Sequence, residues 1–220
     1  IANEVPREFK HIESIDFKHV WFSYDNNDVY ALEDFTLSIK AGEFVGIVGP
    51  SGSGKSTLLS LLMGLYKPTK GAIYINGIDI ANYDSSVLRH LMGYVFQQAY
   101  LFKGSIKDNL TLFDTSISYD DMVDAAKQVN LDSMIEQLPE GYHTPVGYLG
   151  SLLSDGQKQL LAFGRTLIRK TPILLLDEAT ANIDSHTEKQ IQASIENIRG
   201  SKTIVSIAHR LSTVQDANKI

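Results

Sequence analysis

The sequence predicts an α/β chain: a mostly parallel sheet bearing helices, an antiparallel β layer ahead of it, and an α-helical subdomain inserted into it. Three observations predict this. Apolar runs at 44–48, 173–176 and 203–207 are nearly continuous, as in strands buried on both faces of a parallel sheet, and each leads into a polar turn and a helical pattern. The first 40 residues instead alternate apolar and polar, the period of a half-buried antiparallel strand. Around residue 125 the period lengthens to that of amphipathic helices.

Taken in order, residues 1–14 read as a polar lead-in, a linker remnant without the basic-then-apolar pattern of a signal segment. Ile15 and Phe17 begin a strand whose register then shifts to Val20, Phe22 and Tyr24, which implies one irregular step. The DNND cluster is a turn, and Phe35, Leu37 and Ile39 restore the alternation. A strand over 72–75 meets Asn76-Gly77, a pair that tolerates positive φ and so favours a tight hairpin. Helices are expected after Gly54, across Met122, Ala125, Ala126 and Val129, after Ser154 and after Asp184. The division expected is 15–97 for the β layer and first core part, 98–157 for the helical subdomain and 158–220 for the second core part.

Composition narrows the function. The 220 residues are 43% hydrophobic and 21% charged, enough apolar material for a sizeable core, so disordered and fibrous classes are excluded. A net charge of −6 offers no basic field for a nucleic-acid backbone, and no nucleic-acid partner is expected. Without cysteine there is no disulfide framework and no thiol nucleophile, which suits a reducing compartment. No apolar stretch approaches the roughly 18 residues of a membrane-spanning helix.

One motif carries chemistry by itself. Residues 49–56, GPSGSGKS, fit G-x-x-x-x-G-K-[ST] and lie between an apolar strand and an apolar helix, the context in which a phosphate-binding loop forms. Glycines let main-chain N–H groups converge unobstructed, and the helix N-terminus adds partial positive charge. Gly49, Ser51, Gly52, Ser53, Gly54, Lys55, Ser56 and Thr57 are therefore assigned to a triphosphate cradle. Lys55 reaches the β and γ phosphates and Ser56 ligates Mg²⁺. The strand ILLL ends in Asp177-Glu178, which supplies a second metal-side acid at Asp177 and a candidate general base at Glu178.

In that order of motifs the chain resembles the ATP-binding cassette (ABC) ATPases, in particular the nucleotide-binding domain of an exporter. The resemblance rests on FSYDN at Tyr24, YVFQQ at Gln97, LLSDGQKQLLAFGRTL over 152–167, ATANID over 179–184 and AHRLS at His209, and it covers nearly the whole chain. It implies the ABC fold on a P-loop NTPase core, with ATP and Mg²⁺ as ligand and cofactor. It also implies a site on the cytoplasmic face of the cell membrane, where the transporter's transmembrane domains and a second nucleotide-binding domain are partners. Tyr24 resembles the adenine-stacking aromatic. Gln97, chosen over Gln98 by motif register alone, resembles the glutamine that ligates Mg²⁺ and couples the site to the membrane partner. Asp184 resembles the acid that addresses the facing subunit, and His209 the histidine at the γ-phosphate. Ser154, Gly156 and Gln157 belong to the signature segment, which closes over ATP held by the facing domain. The segment 101–106 with Asn109 is similar to exporters. In the loop 144–150, Tyr148 and Leu149 stand where exporters usually carry Glu and Arg.

The signature departs from Leu-Ser-Gly-Gly-Gln: Asp155 replaces the first glycine. A carboxylate in a first helical turn suits the dipole, yet the resemblance implies that it faces a γ-phosphate, like charge against like. This chain's own ATP-holding residues keep the family pattern. The asymmetry implies a heterodimer with one consensus and one degenerate site, against a homodimer that tolerates Asp155. The competing readings are a soluble ABC ATPase acting on nucleic acid or ribosomes, disfavoured by charge and by the lack of coiled-coil heptads, and a nucleotide-sensing domain without turnover, disfavoured by Glu178 and His209.

Overall fold

The computed structural model describes residues 6–25, 29–147, 151–177, 184–208 and 214–220. These fall into two compact units. One comprises residues 1–93, 171–177 and 199–220, the other 94–170 and 178–198.

The first unit holds two sheets. β1 (Ser14–Phe22) pairs antiparallel with β2 (Leu32–Lys40) and with β4 (Lys70–Ile75), which pairs in turn with the short β5 (Ile78–Asp79), giving the order β2-β1-β4-β5 once β3 (Phe44–Val48) is set apart. The register break read between Phe17 and Val20 is a bulge at which His19 takes φ 50°, and it keeps Phe17, Val20 and Phe22 all buried. Asn76 and Gly77 link β4 to β5 with φ of 53° and 75°, both positive as the pair predicts.

The second sheet runs β3-β8-β7-β6, where β6 is Met92–Val95, β7 is Ile173–Asp177 and β8 is Thr203–Ala208. β3 and β7 both pair parallel with β8. Ile173 to Leu176 are at most 1% exposed, which is why these strands read as unbroken apolar runs. Between β3 and β4 runs α1 (Lys55–Leu62), and α2 (Ser85–His90) precedes β6. Near the chain's end Lys219 forms a parallel bridge to Val45 and gives its carbonyl to Gly46 N–H at 2.8 Å.

The stretch expected as a linker remnant is held down from Phe9 onward. Phe9 is 1% exposed and meets Tyr83 edge-on at 4.8 Å, while the Asn76 amide donates to the carbonyls of Glu8 and His11.

The second unit is helical: α3 (Ile106–Thr111), α4 (Tyr119–Gln128), α5 (Asp132–Glu136), α6 (Asp155–Ile168) and α7 (Ser185–Ile198). Met122, Ala125, Ala126 and Val129 are buried, as their spacing predicts, where α4 packs on α6 and α3. The division expected at 157/158 falls inside α6, one continuous helix grouped whole with the helical unit, and α7 joins it there.

Candidate functional site

In the first unit β3 delivers the chain into 49–54, and α1 starts at Lys55. Gly54, with φ 81°, lies so close to β2's entry that a Cβ would come within 2.3 Å of the Ala31 carbonyl oxygen, so only glycine lets the loop turn here. The first intrahelical bond runs from Leu58 N–H to the Gly54 carbonyl, which leaves the earlier N–H groups of the first turn without a helical acceptor. Lys55 is 7% exposed, and its ammonium donates to the Gly49 carbonyl at 2.9 Å and the Pro50 carbonyl at 2.8 Å. An ammonium has three donors, so these two bonds fix its place over the loop and leave one for a phosphate oxygen.

Tyr24 stands beside this loop. Its hydroxyl is 2.8 Å from Thr57 Oγ1, and the residue, 55% exposed, offers area to a flat base. At α1's start, Ser56 Oγ donates to Asp177 Oδ1 at the end of β7, 3.3 Å away. A hydroxyl and a carboxylate oxygen are hard donors of the kind Mg²⁺ takes. Among the described residues no group of three or more His, Asp or Glu could hold a metal by itself, so Mg²⁺ here would complete its shell with phosphate and water oxygens. The donor set thus fits a nucleoside triphosphate and its cation. Glu178 and His209 lie outside the described residues, as do Tyr148 and Leu149.

The remaining candidates belong to the helical unit. Gln97 is exposed just after β6, where the Gln159 amide of α6 donates to the neighbouring Phe96 carbonyl at 2.7 Å. Ser154 and Gln157 form a capping box on α6: Ser154 Oγ accepts from Gln157 N–H at 3.1 Å, and Gln157 Oε1 accepts from Ser154 N–H at 2.9 Å. Asp155 keeps 82% of its side chain exposed and pairs with Lys158 at 3.0 Å.

Gly156 is the contact point between α6 and α7, since a Cβ there would lie 2.4 Å from Thr187 Cγ2. Thr187 is in turn tied to Asp184, whose carboxylate accepts from the Thr187 hydroxyl at 2.6 Å and from the N–H groups of His186 and Thr187, each at 3.0 Å. Those bonds, the Thr187 hydroxyl's first, hold the Asp184 carboxyl below its ordinary range. Sequence reasoning passed over Lys158 and Thr187. Each stands three residues after its carboxylate, the spacing of one helical turn, and that spacing was the available signal.

The sequence model of the ABC transporter family matches residues 32–181. The chain is 44% identical over 94% of its length to the putative ABC transporter ATP-binding protein exp8 of Streptococcus pneumoniae, and covers 35% of that protein. It is 44% identical, again over 94% of its length, to the toxin RTX-III translocation ATP-binding protein of Actinobacillus pleuropneumoniae, of which it covers 29%. Among solved structures, a bacterial Atm1-family ABC exporter with ATP bound superposes with a TM-score of 0.85 at 41% identity, over 94% of this chain and 36% of that one. The chain thus spans roughly a third of the length of these relatives.

Proposed function

The chain belongs to the ABC transporter family of ATP-binding domains, and on that premise we propose that it is the ATP-hydrolysing motor of an exporter. It works at the cytoplasmic face of a membrane with the transmembrane domains of the same transporter and a second, non-identical nucleotide-binding domain. Among the described residues no helix is long and apolar enough to cross a membrane. The observation that carries the reading is Lys55, held by two carbonyls of its own loop beside the open amides of α1's first turn.

ATP is the substrate. Its phosphates take the loop's N–H groups and the remaining Lys55 donor, and its base stacks on Tyr24. Ser56, Asp177 and Gln97 would hold Mg²⁺, which would neutralise phosphate charge. Glu178 accepts the proton of the attacking water, and His209 donates a hydrogen bond to the γ-phosphate. Ser154, Gly156 and Gln157 cover the ATP held by the facing domain, with Asp184 beside the shared boundary. Closure of the two domains over ATP moves the attached transmembrane helices, and hydrolysis lets the pair reopen.

Asp155 makes the pairing asymmetric. The nearly bare carboxylate, offset only in part by Lys158, weakens the site that this chain's signature completes, so a different partner supplies a consensus signature to the ATP bound here. The test is Glu178→Gln in the full-length transporter. ATP affinity stays near wild type, turnover falls by roughly 10²-fold or more, and the variant forms a tight ATP-dependent pair with a non-identical partner domain. Unchanged turnover removes Glu178 as base. Tight self-pairing that excludes such a partner removes the heterodimer.

A further inference from the structure

We propose that Tyr66 is a positioning residue for nucleotide binding, bracing the Tyr24 ring edge-on so that its face is presented to the adenine base. This rests on the reading of Tyr24 as the stacking ring. The observation is a cluster of three aromatic rings in the first unit: Tyr24 meets Phe22 at 4.8 Å and 82°, and Tyr66 at 5.4 Å and 86°, while Phe22 and Tyr66 lie 5.4 Å apart. Both contacts to Tyr24 are edge-to-face, the favoured geometry of ring quadrupoles. Two perpendicular walls oppose rotation of the Tyr24 ring, and its hydroxyl is pinned to Thr57 Oγ1 on α1. Base platform and phosphate loop are thereby spaced by one set of contacts.

The chain is built to bring Tyr66 there. Just after α1, Gly64 turns the backbone with a φ of 69°, and Leu65 N–H closes back on the Ser60 carbonyl at 3.0 Å. The segment is then sewn to the end of β1: Thr69 N–H donates to the Trp21 carbonyl at 2.7 Å, and Thr69 Oγ1 accepts from Ser23 N–H at 3.1 Å. Tyr66 is 46% exposed, so burial alone does not account for an aromatic at this place. Phe22, at 4%, is core in its own right.

A braced ring loses less freedom when a base stacks on it, so the effect belongs in binding of the adenine end and not in the chemical step. In the full-length transporter, Tyr66→Ala is expected to raise Kd and KM for ATP roughly three- to tenfold, the scale of an aromatic pair. Binding of inorganic tripolyphosphate, which has no base, and kcat should stay unchanged. Tyr66→Phe restores wild-type values, and in a Tyr24→Ala background Tyr66→Ala adds no further loss. Tyr66→Leu, which keeps volume without a ring, behaves like Tyr66→Ala and serves if the alanine protein does not fold. Equal weakening of ATP and tripolyphosphate overturns the proposal, and so does an undiminished loss in the Tyr24→Ala background. If Tyr24→Ala lowers the preference for ATP over tripolyphosphate and Tyr66→Ala does not, bracing alone fails. If Tyr24→Ala leaves that preference untouched, the stacking reading fails and takes this proposal with it.

Discussion

Asp155 suits its own helix and, in the proposed pairing, opposes the ligand of the facing domain. In the first turn of α6 it lies where a negative charge is favoured, and Lys158 one turn on holds it at 3.0 Å. Exposed ion pairs of this kind add little stability, so the fold does not depend on the carboxylate. Its consequence is for whatever anion faces the helix. Asp155→Gly in the assembled transporter is therefore expected to raise ATP turnover at the site this signature completes, by roughly tenfold if about 1.4 kcal/mol of repulsion is removed. Single-site turnover, with the other site disabled, reads this; a rate unchanged or lowered by Asp155→Gly contradicts it. Lys55 makes the complementary case, a cation placed by the carbonyls of Gly49 and Pro50 before any phosphate is considered.

Among the elements, α6 and α7 matter most, because each begins at a residue proposed for the site. Ser154 and Gln157 close a capping box on α6, and Asp184 takes the first N–H groups of α7. Gly156 and Thr187 pack the two starts together with no room for a methyl group. Gly156→Ala is expected to cost roughly 1–3 kcal/mol by overpacking, with Thr187→Ser returning part of it. Thermal unfolding of both variants checks this, and an unchanged midpoint for Gly156→Ala contradicts it. Such contacts also mark the limit of what the sequence could tell. The capping of α6 was legible from Ser154, and the phosphate loop from its glycines and lysine, because both are local patterns. The Gly156–Thr187 contact joins residues 31 positions apart, as read from their numbers, and no local period points to it. Tyr66 was hidden likewise, since its partners Phe22 and Tyr24 belong to another strand end.

Across the whole molecule, the layers followed from periodicity. Alternation marked β1 and β2, continuous apolar runs marked β3, β7 and β8, and helical spacing marked α4 and α6. β6, only four residues long, gave too little pattern to read, and α3 and α5, of six and five residues, are shorter than the window in which a helical period shows. Function came from motifs set on those layers: the loop after β3, the acid ending β7, the capped starts of α6 and α7. Their common dependence is on the phosphate loop. Equilibrium binding of ATP with Mg²⁺ to the full-length transporter, wild type against Lys55→Ala, tests that dependence most directly. The account predicts saturable binding by the wild type and a loss of roughly tenfold or more in the variant, the scale of a charge-assisted contact. Equal affinity of the two proteins, or no saturable binding by the wild type, would contradict it.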